Sequence, residues 1–297
     1  MNRALRRRLA NYIFVGACLL ATGLAVLSLT SLFISLFWNG FSGLNMLTLT
    51  KDSGLIAAQD PNGPQLGGLY DGIVGSLVMS ILAMVAALFI GIFAGTWLAE
   101  YAGESHTGNI IRFLNDVLLS APSILVGLAV YTYIFIVMTW HNTPQYTYSG
   151  LAGAAALAIL ALPVIVRTTE DMLLLQPAQL REAGVALGAS RGLVIRQIIW
   201  RAARTGLLTG GLLAFARISG ETAPLLFTAF GNGQSIALRH FISGIADKTS
   251  ALPLLINSLY QSPLTVNFAW TAALLISLAV LAVNILGRFL ARGSRHS

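Results

Sequence analysis

The chain has 297 residues, 56% of them hydrophobic and only 10% charged, with a mean hydropathy of +0.76. Soluble globular domains carry about 25% charged residues, so this composition excludes a soluble enzyme and reads as an integral membrane protein. The formal net charge of +7 would suit a nucleic-acid partner, but the basic residues follow a membrane topology instead of one patch, and no nucleic acid is expected.

Six stretches could cross a hydrocarbon core, which takes about 20 helical residues: 12–38, 72–98, 113–139, 150–166, 205–230 and 268–289. Helices satisfy their own backbone in lipid, so the expected fold is an all-α bundle of six transmembrane helices. Arg3, Arg6, Arg7 and Arg8 precede the first stretch as in a secretory signal. Its apolar run exceeds the roughly 7–15 residues of a signal core and no small-x-small site before Trp38 is convincing, so it reads as a retained span. Cys18 inside it is the only cysteine; a lone thiol forms no intrachain disulfide.

The connection 39–71 holds turn-forming residues (Asp60-Pro61-Asn62-Gly63-Pro64) and three acidic residues. It reads equally as a contact for an external partner or as a plain solvated loop. In the third span, Asp116 is expected in the first turn, where the helix dipole favours a carboxylate. The connection 140–149 merely joins spans.

The segment 167–204 is different. Pro177 suits a helix start, and Leu180, Ala183, Leu187, Val194 and Ile198 recur at roughly helical spacing. Gly188 interrupts the pattern and Ser190 is a good N-cap. Two short amphipathic helices joined at Gly188 are expected, and such a piece could also lie on the lipid surface. The fifth span carries Arg217 and Glu221 in an otherwise apolar run. In the connection 231–267, Pro253 and Pro263 bracket the apolar Leu254-Leu255-Ile256, a helix on or dipping into the outer surface.

Fourteen of the eighteen Lys and Arg fall in the N-terminus, the second and fourth connections and the C-terminus, against three in the other connections. By the positive-inside rule both termini and the second and fourth connections are cytoplasmic. The chain divides into 1–71 (tail, first span, external loop), 72–290 (the main transmembrane unit, with the loop 167–204) and a cytoplasmic tail, 291–297.

The run Glu182-Ala183-Gly184-Val185-Ala186-Leu187-Gly188 resembles the cytoplasmic loop of importer-type ABC transporter permeases, written EAA, three residues, then G; Gly184 stands where alanine is usual. Further segments, PVIVRTTE at 163–170, SAPSI at 120–124 and ARISGETAPLLFT at 216–228, are similar to PstA-type permeases of bacterial phosphate importers. The resemblance covers most of 72–290. It implies the type I ABC importer permease fold and a coupling helix, with Glu182, Ala183, Gly184 and Gly188, that docks on an ATPase. It also implies a PstC-like partner permease, two ATPase subunits and an external phosphate-binding protein. Membrane lipid is the surrounding solvent and the bacterial inner membrane the expected location. The chain itself lacks a Gly-Lys-Ser/Thr element for nucleotide, since Lys51 and Lys248 follow Thr50 and Asp247.

An arginine at a helix centre costs about 2.5–3.5 kcal/mol on insertion scales, so intramembrane charges mark pathways. Arg217 and Glu221, one turn apart, could instead simply neutralise each other. Pro224 should kink or break the helix past Arg217, Gly210, Gly211, Ser219 and Gly220 allow close helix approach, and interrupted helices are where transporters place sites. Arginine's fork matches phosphate oxygens. A carboxylate accepts from protonated phosphate but only repels sulfate, so Glu221 either holds Arg217 or helps reject sulfate.

Ser219 and Thr222 offer hydroxyls to the same pathway, although such groups often bond their own backbone. Arg167 and Glu170 are a candidate gate, or, for the arginine, an interfacial anchor. His106, His141, His240 and His296 are scattered and make no metal site; no Gly-x-Ser-x-Gly elbow is present. Neither a cofactor nor a catalytic residue is expected. The alternatives are a permease for another oxyanion, such as molybdate or sulfate, or an intramembrane enzyme or receptor.

Overall fold

The computed structural model describes residues 3–58, 67–140, 148–231 and 245–293, and among these the regular structure is helical apart from one isolated parallel bridge, Phe230 to Thr249. The turn expected at 60–64, most of the connection 140–149, and His141, His240 and His296 lie outside the described residues.

α1 (Arg3–Ser42) has no internal proline and, past its basic start, is apolar on every side. Among the described residues it meets the rest of the molecule only near its C-terminal end, where Leu36 and Gly40 are buried against α12 (Val266–Gly293). A Cβ on Gly40 would stand 2.7 Å from that of Leu274, and the Thr271 hydroxyl donates to the Gly40 carbonyl at 3.1 Å. The short α2 (Met46–Thr50) and a 3-10 turn (Ser53–Ala58) then fold onto the start of α3 (Tyr70–Trp97). There the buried Asp71 accepts from the Ser53 amide and hydroxyl at 2.8 and 2.7 Å.

α6 (Gly150–Leu174) is the central helix. Its first half is mostly alanine, glycine and leucine, so neighbours approach on every side. α3 packs on it through glycines: a Cβ on Gly91 would lie 2.7 Å from Ile165, and one on Gly95 2.6 Å from Thr169. Beyond Trp97, α3 continues as a π-turn, Leu98–Ala102. α6 also runs two turns past the expected end at 166, which puts Arg167, Glu170 and Asp171 on a helix and not in a loop.

The span expected at 113–139 is not one helix. α4 (His106–Ser120) and α5 (Ser123–Trp140) meet at a bend of 106°. Pro122 causes it: a residue before proline is pushed out of helical space, and Ala121 is extended, at φ −66° and ψ 134°. α4 packs beside the C-terminal half of α6, while α5 packs on its N-terminal half and on α10 (Ala223–Thr228). Asp116 is not in a first turn. The cap of α4 is Ser105, whose hydroxyl accepts from the Gly108 amide at 3.2 Å, and Asp116 lies near the opposite end of that helix.

In the segment 167–204 the first expected short helix forms separately, α7 (Ala178–Ala186), whereas the second, α8 (Arg191–Val194), is the start of a longer helical run. α8 passes through a second π-turn, Ile195–Ile199, into α9 (Trp200–Ser219). After α10 comes α11 (Leu252–Leu259), which contains Leu254-Leu255-Ile256 as expected. Among the described residues four helices are long and apolar enough to cross a membrane, or five if the bent α4–α5 pair counts as one; the stretch 205–230 is divided between α9 and α10.

Candidate functional site

α9 ends at Ser219 with Gly220 as its C-cap, and α10 begins at Ala223. Pro224 lacks the N–H that would continue the ladder to Gly220 and sits in the first turn of α10, a position that tolerates proline. The break is tightly held from one side, since a Cβ on Gly127 of α5 would come within 2.8 Å of the Pro224 carbonyl oxygen. Gly210, lower on α9, packs on Thr168 of α6.

Glu221 follows the end of α9, so the two charges do not share a helix face. Arg217 is exposed, Glu221 half-buried, and neither has an ion-pair partner among the described residues. Mutual neutralisation is therefore not what this geometry shows. Arg217 occupies the last turn of α9, where the helix dipole favours a cation. The Ser219 hydroxyl is spent on the Phe215 carbonyl at 2.7 Å, and Thr222 caps α10 without a side-chain bond. An apolar groove between α1, α9 and α12 borders Gly220, but neither Arg217 nor Glu221 lines it.

Arg167 and Glu170 do not work as a pair. Exposed Arg167 meets Asp171 one turn on, at 3.2 Å, whereas buried Glu170 accepts from the Arg112 Nε at 2.7 Å. Arg112 also donates to the carbonyls of Gly103 and Leu98, which ties α4 and the π-turn of α3 to α6. Beside it, buried Asn115 donates to the Pro163 carbonyl at 3.2 Å. In the sequence Arg112 stands out only as a cytoplasmic charge.

α7 ends in a Schellman turn. The Gly188 amide bonds Val185 O at 2.9 Å, the Ala189 amide bonds Gly184 O at 3.2 Å, and Gly188 has φ +82°, which glycine adopts without Cβ strain. Gly184 faces inward, where a Cβ would stand 2.7 Å from the Val194 side chain and 3.1 Å from that of Ile198. Leu173, Val194, Ile199 and Ala203 make a small core here, with Leu180 and Ile198 against it. Leu187, expected on the packed side, is instead 88% exposed, because as C-cap it lies past the last packed turn. With Glu182, Ala183 and Val185 it leaves an exposed face of mixed character.

Sequence reasoning also misses the partners beneath this loop. Arg181 bonds both carboxylate oxygens of buried Glu100, and Arg191 bonds the Glu100 carbonyl while lying over the Tyr101 ring at 4.8 Å. A glutamate at the end of a long apolar run is the available signal. At the opposite end of the bundle the Lys248 ammonium stands 5.7 and 5.5 Å from the rings of Tyr148 and Phe230, and the Tyr131 ring lies 5.2 Å from that of Tyr148, tilted by 33°.

Residues 87–296 match the family of binding-protein-dependent transport system inner membrane components. The chain is 41% identical to the phosphate transport system permease protein PstA of Xylella fastidiosa over 96% of its own length and 93% of that protein's. It is 44% identical to PstA of Haemophilus influenzae, over 88% and 90%. Among solved structures, an inward-facing MetNI methionine ABC transporter matches with a TM-score of 0.59 at 18% identity, over 76% of this chain and 95% of that one; this likeness shows the type I importer permease fold alone. By these matches the chain belongs to the binding-protein-dependent transport inner membrane component family, and within it to the PstA-type permeases.

Proposed function

We propose that the chain is the permease subunit of a phosphate importer, forming the translocation pathway with a homologous PstC-like permease. Two copies of a separate ATPase would drive it and an external phosphate-binding protein would deliver the anion. The observation that carries this reading is the 41–44% identity to PstA proteins over about nine-tenths of both chains. The chain is then a non-catalytic, multi-pass subunit of the inner membrane with both termini in the cytoplasm, the side to which its basic residues point.

Two features support the division of labour. The α7 face with Glu182, Ala183, Val185 and Leu187 stands clear of the bundle and is free to dock, while Gly184 and Gly188 shape the turn behind it. Arg217 stands at a broken helix without a counter-ion among the described residues, available to a passing anion and to the sister permease. Glu221, Ser219 and Thr222 surround the break, and Glu221 rejects an anion that brings no proton. Arg167 remains the exposed candidate for a gate, with Glu170 as the fixed post behind it. Alternating access follows if ATP binding moves α7 and the helices around the break open to either side in turn.

The test is ATP-dependent phosphate uptake by the co-expressed complex in proteoliposomes, with sulfate and molybdate as competitors. Uptake that needs the binding protein and survives excess sulfate is expected. Transport of sulfate or molybdate in preference to phosphate would move the chain to another oxyanion.

A further inference from the structure

We infer that Glu100 and Arg181 are positioning residues, a joint that makes α3 move with α7; the inference rests on the coupling role proposed for α7. Glu100 lies in the π-turn that ends α3, with its side chain 3% exposed. Arg181 reaches it from α7 in a fork: Nε stands 3.0 Å from each carboxylate oxygen and Nη2 2.6 Å from Oε1. The same guanidinium donates from Nη1 to the Gln176 carbonyl at 2.9 Å and from Nη2 to the Leu173 carbonyl at 2.8 Å. One side chain therefore binds the end of α3, the end of α6 and α7 together.

The second arm of the loop grips the same turn. Arg191 bonds the Glu100 carbonyl and covers Tyr101, and the Trp200 indole donates to Thr96 Oγ1 at 3.1 Å, one turn before Glu100. α7 packs mainly on α8 and the π-turn after it, and where Leu180 of α7 and Ala99 of α3's π-turn share one apolar cluster, the Arg181–Glu100 pair adds a hold that is polar and directional. That difference matters mechanically. An apolar contact can slide, whereas a bidentate arginine–carboxylate pair fixes both distance and angle.

Stability does not explain such a pair, since a buried ion pair is often matched or beaten by apolar residues of similar volume. π-turns concentrate at functional positions, and two of them, Leu98–Ala102 and Ile195–Ile199, border one groove, which Glu100, Arg181 and Ile195 line. Beyond the joint, α3 packs through Gly95 and Gly91 on Thr169 and Ile165 of α6, and Leu88 meets Gly211 of α9. A displacement of α7 thus has a continuous packed route to the helix that carries Arg217.

The experiment uses the complete complex in proteoliposomes with its ATPase and binding protein. The double variant Glu100→Met with Arg181→Leu replaces the ion pair by apolar volume. It is expected to assemble and hydrolyse ATP, while phosphate moved per ATP falls about fivefold or more, the low end of typical coupling between sites. The swap Glu100→Arg with Arg181→Glu should restore part of that ratio. Wild-type stoichiometry in the apolar double variant would overturn the joint and leave a packing role.

A second measurement needs no change to the pair. Spin labels at Glu104 and Gln179, both exposed, in a Cys18→Ser background should keep one separation in nucleotide-free and ATP-trapped complexes. A change in that separation would equally overturn the joint. Failure of the coupling reading itself would look different: labels on α7 would then show no ATPase contact in the unaltered complex.

Discussion

Arg217 and Glu170 are both charges that a membrane bundle must accommodate, and the chain treats them in opposite ways. Glu170 is enclosed and answered by Arg112, whereas Arg217 stays unanswered among the described residues. Removing one member of a buried pair strands the other at a cost of about 3–5 kcal/mol, whereas apolar replacement of both is often neutral. Arg112→Met should therefore lower the melting temperature of the detergent-solubilised complex far more than the double variant with Glu170→Leu, and additive losses would contradict the pairing. Arg217→Gln should behave conversely, with little change in melting but a strong loss of phosphate uptake. At the far end of the bundle, a hydrogen bond with Tyr131, then burial, then repulsion from Tyr131 push the Tyr148 phenol above its ordinary value. A raised acid favours its neutral form, so this contribution to stability is complete below the ordinary tyrosine pKa near 10 and is lost as pH climbs through the raised value. Tyr131→Phe should bring the alkaline absorbance transition of Tyr148 to lower pH. Arg217 can be singled out in the sequence, because charge in an apolar run is conspicuous. Its missing partner cannot, since i,i+4 spacing implies a shared face only while the helix continues, and Pro224 ends it in between.

Proline and glycine decide the elements, and their effects are only partly readable. Pro224 reads as a breaker and breaks its helix. Pro122 has the stronger effect, but the hydrophobic run around it reads as one span and hides the turn at Ala121. Pro163 stays inside α6 without ending it, held among α3, α4 and α9, so tertiary packing and not residue type separates the three outcomes. Pro122→Ala permits helical geometry at Ala121. Labels at His106 and Tyr133, both exposed, should then report a longer or broader distance distribution than the 106° bend gives. In the loop around α7 the two glycines differ. A Cβ on Gly188 would meet nothing within 4 Å, so only its φ of +82° constrains it. Asparagine, which tolerates the left-handed region, should preserve ATPase co-purification better there than valine does. Gly184 is limited by space, against side-chain ends that can shift, so alanine should be accepted and leucine should disrupt the loop.

For the whole molecule, charge asymmetry implies an orientation that a fusion at the C-terminus tests. A fluorescent protein fused after Ser297 should fluoresce, and alkaline phosphatase in the same place should stay inactive; the reverse pattern would invert the topology. Most of α1, from Leu9 to Leu32, stands clear of the other described residues and must be covered by lipid or by another chain. The helical bundle can be inferred from hydropathy, because lipid leaves few alternatives to helices. The Arg181–Glu100 pair beneath α7 cannot, because its partners lie 81 residues apart and depend on two irregular turns. Those turns have an arithmetic of their own. A π-turn is an α-helix that takes up one extra residue within a single turn, and removing that residue moves a side chain inside the turn back by one place, about 100° around the axis. Excising Ala99 would turn Leu98–Ala102 into ordinary helix and swing the Glu100 carboxylate away from Arg181, although every residue of the clasp would still be present. The spacing of the clasp, as much as its chemistry, is thus written as a count of residues, and a single-residue deletion should be less tolerated there than most substitutions.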